Sequence, residues 1–134
     1  MKVEVSRIAW NYESEILQKL PFAKWFKPLI QSGQLSLYRV VSDCKEAGVF
    51  IIRIEEQVDQ TKELVLLQSV SLENAGLPLT TIIHPFLHGL ALANRCCNIR
   101  IHADGNKPGL EKMLKTKGFE KFEVIYKQKV EHGQ

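Results

Sequence analysis

His84 and His88 stand four residues apart, a spacing that brings two imidazoles to one face of a helix and, with a third ligand such as His102, can hold zinc. His84 is not followed by the Glu of a His-Glu-x-x-His site, so hydrogen-bonded histidines on a packed helix are the preferred reading and no metal is expected. His84 lies nearest the start of that helix, where a titratable group could act at the mouth of a cleft. Cys96 and Cys97, with His102 five residues on, contain the parts of a thiol nucleophile. No oxyanion loop accompanies them, and small buried residues beside a strand account for them better.

These residues sit within a regular alternation of elements. Val3, Val5 and Ile8 read as a first strand, and a helical stretch follows from an N-cap at Ser14 through Ile16, Leu17, Leu20, Trp25, Phe26, Leu29 and Ile30 to Ser32-Gly33. Pro21 and Pro28 are expected to divide it into short helices. Leu35 to Val41, the turn Asp43-Cys44-Lys45-Glu46, Val49 to Ile54, a turn near Asp59-Gln60-Thr61, and Leu64 to Val70 predict a three-stranded antiparallel meander. After a loop from Ser71 to Pro78 the apolar period becomes helical through Ile82, Ile83, Phe86, Leu87, Leu90 and Ala91, with Pro85 either in the first turn or inside a helix that begins near Leu79. Asn98 to Ala103 reads as a fifth strand. Pro108 to Gly118 reads as a last helix closed by a glycine, and Phe122, Val124 and Tyr126, continued by Gln128 and Val130, as a last strand. The predicted class is α/β, a mixed and mostly antiparallel sheet flanked by helices in one domain over residues 1–134.

With 134 residues, 45% hydrophobic and 25% charged, the chain is composed like an ordinary globular domain. Its net charge of +3 is spread along the sequence, and the lysines of the C-terminal third are interleaved with Glu111, Glu120, Glu123 and Glu131. No arginine cluster or stacking aromatics accompany them, so a solvated face is preferred to a nucleic-acid surface. Three cysteines without Cys-x-x-Cys spacing, no signal-peptide block and no run of membrane-spanning length point to a reducing, cytoplasmic setting with no membrane partner.

The whole order, and most specifically the strand, Asn-containing turn, amphipathic helix, Gly118-Phe119 and final strand of Asn98 to Tyr126, resembles the GNAT N-acetyltransferase superfamily. The resemblance implies transfer of an acyl group from acetyl-CoA to an amine by direct attack. It implies that the fourth strand splays from the fifth, that the pantetheine arm pairs with main-chain groups at Gln68, Ser69 and Val70, and that the pyrophosphate meets amides at the start of the crossover helix. It also places the acceptor beside the helices after the first strand, where Trp10, Trp25 and Phe26 could gate a pocket, although core packing accounts for them more simply.

The phosphate loop departs from the superfamily's glycine-rich pattern: its positions fall near Gly76, Leu79 and Thr81. Asn74, Gly76 and the hydroxyls of Thr80 and Thr81 are the remaining candidates for an anion-binding nest, with Asn106 a further cofactor contact. Leu114 stands where members often carry a tyrosine acid, four residues before Gly118-Phe119. Glu73 and His84 are the candidate catalytic groups; Glu63 and Asn74, and Glu55 and Glu56 on the preceding strand, are positional alternatives that read more simply as edge groups. The departures leave a second reading open, a GNAT-shaped structural or binding module without catalysis, such as an accessory or virion-associated protein. The terminal stretch Lys121 to Val130 offers an edge through which a homodimer could form.

Overall fold

The computed structural model is described for residues 2–10, 15–71, 79–101, 112, 114–120 and 126–131, with the side chains of residues 15 and 79–81 left aside. The chain divides into two compact units, Met1–His102 and Ala103–Gln134.

The first unit is a five-stranded sheet in the order β1-β2-β3-β4-β5: β1 Val3–Ile8, β2 Ser36–Ser42, β3 Lys45–Glu56, β4 Lys62–Ser71 and β5 Asn98–Ile101. The first four strands pair antiparallel, and β5 lies parallel to β4. The β2–β3 turn is tighter than the predicted four residues. Lys45 already pairs with Ser42, so Asp43 and Cys44 form a two-residue turn with φ of 49° and 66°, the left-handed pair whose twist suits a hairpin. Asp43 Oδ1 accepts from the Lys2 amide at 2.9 Å, tying the turn to the start of β1.

Alternation along β3 gives the sheet two apolar faces. Phe50 and Ile52, with Tyr38, Val40, Leu64 and Leu66, pack under α3 (Leu79–Ala93), which buries Ile83, Leu87 and Ala91 at four-residue intervals. Phe86 meets Tyr38 and Phe50 edge-on at 5.3 and 6.1 Å, and those two rings stack at 5.2 Å. Val49 and Ile51, with Leu35 and Leu37, pack under α1 (Glu15–Gln18) and α2 (Ala23–Gln31) through Ile16, Leu17, Leu20, Phe26 and Ile30.

Pro21 separates α1 from α2 as expected, but Pro28 does not end α2. It removes one hydrogen bond, to the Lys24 carbonyl, on the exposed side of a helix whose other face is pinned by Phe26 and Ile30, and that packing outweighs the loss. Pro85 likewise lies inside α3, which settles the alternative in favour of a start at Leu79. Both helices close with the Schellman pattern: Gln34 N donates to Leu29 O past Gly33, and Cys96 N donates to Ala91 O past Arg95.

In the second unit, Phe119 N donates to Leu114 O at 3.0 Å and Gly118 has φ 87°, so the last helix ends in the glycine cap that the sequence predicts. Residues 126–131 are in no strand, contrary to the last strand predicted through Tyr126, Gln128 and Val130. Tyr126 is 91% and Val130 68% exposed, so the alternating apolar residues there have no buried face to stabilise pairing. Phe122 and Val124 lie outside the described residues.

Candidate functional site

The point of interest is a break in the rhythm of β4. Ile51 pairs with Gln68 and Ile52 with Leu66, which leaves Leu67 as an extra residue without a β3 partner, a β-bulge. Before it, Leu64 and Leu66 face α3. At it, Leu67 and Gln68 both turn to the α2 side, and Val70 follows, opposite Val49. The sequence Leu64-Val-Leu-Leu-Gln-Ser-Val contains this break only as an imperfect alternation.

The bulge coincides with the end of the β4–β5 ladder. Pairing runs from Glu63↔Asn98 to Leu66↔Ile101, and among the described residues β5 does not pair with β4 beyond Leu66. Gln68, Ser69 and Val70 keep their β3 partners on one side and are half-buried, and among the described residues none pairs with β5 on the other. The start of α3 is the nearby candidate anion site: Thr80 and Thr81 fall in its first turn, which carries no acidic residue.

On the α2 side of the bulge lies an open groove of about 370 Å³ lined by Phe22, Trp25, Phe26, Leu67 and Gln68. Phe26 is core, as the sequence suggests, but Trp25 is not: it is 56% exposed and meets Phe26 edge-on at 4.9 Å. Phe22 caps α2 in the left-handed region, φ 58° and ψ 33°, and the residue is 76% exposed. A bulky residue is rarely held there.

Below the bulge, a charged network crosses three strands on the α1/α2 face. Arg100 Nη2 donates to Glu55 Oε2 at 2.8 Å and Nη1 to Glu63 Oε1 at 3.2 Å, while Arg53 Nε donates to Glu55 Oε2 at 3.2 Å and Asn98 Nδ2 to Glu63 Oε2 at 3.3 Å. The Arg53 hydrogen bond above all, with the charges of Arg100 and Arg53 added and desolvation opposing, holds the Glu55 carboxyl below its ordinary range. Glu55 and Glu63 are thus engaged structurally, and Arg100 is a partner that nothing in its local sequence advertises.

Of the sequence-predicted groups, Gln68, Ser69 and Val70 lie on β4 past its last described pairing with β5, and His84 is half-buried on α3, its ring centroid 6.5 Å from that of His88. Glu73, Asn74, Gly76, Asn106 and His102 lie outside the described residues. Among the described residues no group of three His, Cys, Asp or Glu side chains could hold a metal ion, and burial pushes the Cys96 thiol up, away from a reactive thiolate. No described helix is long and apolar enough to cross a membrane.

The fold as a whole recurs in solved structures. An aminoglycoside acetyltransferase from an uncultured soil metagenomic sample superposes with a TM-score of 0.72 at 13% identity, over 98% of this chain and 100% of that one. A ribosomal-protein-alanine N-acetyltransferase from Brucella melitensis does so with a TM-score of 0.72 at 11% identity, over 96% and 100%. The chain has the GNAT acetyltransferase fold. A third neighbour, AAC(6')-Iy in complex with the bisubstrate analogue CoA-S-monomethyl-acetylneamine, has a TM-score of 0.68 at 12% identity, over 97% of this chain and 99% of that one. No protein-family model and no curated protein matches the sequence, so the GNAT likeness lies in the fold.

Proposed function

We propose that the protein is an N-acetyltransferase that moves an acetyl group from acetyl-CoA to an amine by direct attack. The observation that carries this reading is the bulge at Leu67 beside an edge of β4 that has no partner past Leu66 among the described residues. Main-chain groups on that side of β4 would suit an extended amide-bearing arm, and the acid-free first turn of α3 suits a pyrophosphate. Both features support acetyl-CoA as the substrate in this reading.

In this reading Gln68, Ser69 and Val70 hold the pantetheine arm, and Thr80 and Thr81, with Asn74 and Gly76 ahead of them and Asn106 beyond, hold the phosphates. The main-chain N–H at the Leu67 bulge is the donor to the carbonyl oxygen as charge develops there in this reading. A new N–C bond forms as the thioester C–S bond breaks, the electron pair leaves with the CoA sulfur, and the ammonium proton goes to a base. Glu73 is that base and His84, in the second turn of α3, a second proton carrier. The cytoplasm, with its acetyl-CoA and reduced thiols, suits both the reaction and three free cysteines.

A non-catalytic binding module is the second reading. It is favoured by Leu79 in the phosphate loop and by a buried Leu114 where a tyrosine acid is common. Thiol release from acetyl-CoA in the presence of a panel of amines separates the two. Amine-dependent release, lost in Glu73→Gln, is expected; release indistinguishable from buffer with every amine would leave the module.

A further inference from the structure

We propose that the outer face of α2 docks on an anionic lipid surface, with Phe22 and Trp25 seated at headgroup level and Lys19 and Lys24 against the negative charge. The contact is peripheral and needs no spanning segment. Its argument is independent of acyl transfer.

The first observation is an apolar face where a polar one belongs. Phe26 and Ile30 already pack α2 onto the sheet, and the opposite side of a helix so placed ordinarily carries polar and charged residues. Here Trp25 and Pro28 are exposed on it, and Phe22 joins them at the N-cap. Two aromatic side chains of about 150–250 Å² each, partly covered, fall short of the ~800 Å² per partner that a specific protein interface buries. A bilayer sets no such threshold, since each ring that enters the interface contributes its own transfer, and tryptophan favours headgroup level.

The second is charge. From Ile16 to Ser42 the chain contains no Asp or Glu, and its charged residues there are Lys19, Lys24, Lys27 and Arg39. Lys19 and Lys24 are exposed. On the same side of the sheet, Glu55 and Glu63 are taken up by Arg53 and Arg100, so they offset little of this positive field. Exposed aromatic residues among lysines complement an anionic surface, where each lysine adds about fivefold to partitioning.

The third is strain. Phe22 adopts φ 58° and makes no side-chain hydrogen bond to the helix it caps. Glycine would take that backbone freely, and serine or aspartate would cap the helix. A phenylalanine forgoes both and gains only the outward display of its ring, a local cost of the kind that marks a functional position.

The test is flotation of the full chain with vesicles, together with the fluorescence of Trp10→Phe, in which Trp25 is the sole tryptophan. Phosphatidylcholine vesicles containing phosphatidylserine should float the protein and shift Trp25 emission to the blue, and vesicles of phosphatidylcholine alone should do neither. Raised salt should weaken the contact. Trp25→Ala and Phe22→Gly keep every charge, and each should lower partitioning about tenfold, as should Lys24→Glu. Phe22→Gly should melt no lower than the parent, so its lost partitioning is not lost fold. Unshifted Trp25 emission with the anionic vesicles would overturn the proposal, and so would undiminished flotation of both aromatic variants, which would leave charge alone at work. A blue shift produced by polyglutamate and not by vesicles would also overturn it and assign the face to an acidic protein.

Discussion

At the scale of single residues, the chain closes three helix ends with the same hydrogen bonds but not with the same residue. Gly33 and Gly118 take φ of 83° and 87°, while Arg95 takes 58°. An L-residue in that region costs about 1 kcal/mol relative to glycine. Arg95→Gly is therefore expected to stabilise the protein by about 1 kcal/mol and Gly33→Ala to destabilise it by a similar amount, both read from urea midpoints. The glycine cap at Gly118 was legible because the residue type carries the conformation. Arg95 and Phe22 were not, because nothing in an arginine or a phenylalanine announces a left-handed backbone. The same limit hid the exposure of Trp25, which apolar periodicity assigns to a core that Phe26 and Ile30 already fill. For the proposed base, Glu73→Gln should lower kcat/KM by about 100-fold or more while leaving CoA affinity unchanged, as a proton-transfer role demands.

At the scale of elements, β3, β4 and β5 are tied at one end by Arg53, Glu55, Glu63 and Arg100, and among the described residues β4 and β5 do not pair past Leu66 and Ile101. Glu55 titrates below its ordinary 4.5 in the folded chain, so the unfolded chain takes up that proton first. Its contribution is present above about pH 4.5 and is lost as pH falls through the lower folded value. Glu55→Gln should cost about 1 kcal/mol at pH 7, and the gap between parent and variant should narrow as pH is lowered toward 3. An unchanged gap would show that the carboxylate does not carry the network. The strands were legible because β-branched alternation is local. The network was not, because it joins residues up to 45 positions apart. The bulge lay between these cases: Leu66-Leu67-Gln68 breaks the alternation, but only the β3 register reveals which residue is extra.

At the scale of the molecule, an antiparallel meander feeding a crossover helix and a parallel fifth strand is enough to place the chain in the GNAT fold without shared sequence, since neighbours with TM-scores near 0.7 are 11–13% identical. The fold was legible because each local preference agrees with the global arrangement. The ligand was not, because fold does not fix chemistry and the loop that would hold phosphate departs from the usual pattern. Acetyl-CoA binding is therefore the central claim. The direct measurement is the melting temperature of the protein across an acetyl-CoA titration, with calorimetry for stoichiometry. A saturable rise with micromolar affinity, weakened at least tenfold when Thr80 and Thr81 are both replaced by Glu, is the predicted result. No shift and no heat at millimolar acetyl-CoA would contradict it and leave the GNAT fold here without its usual substrate.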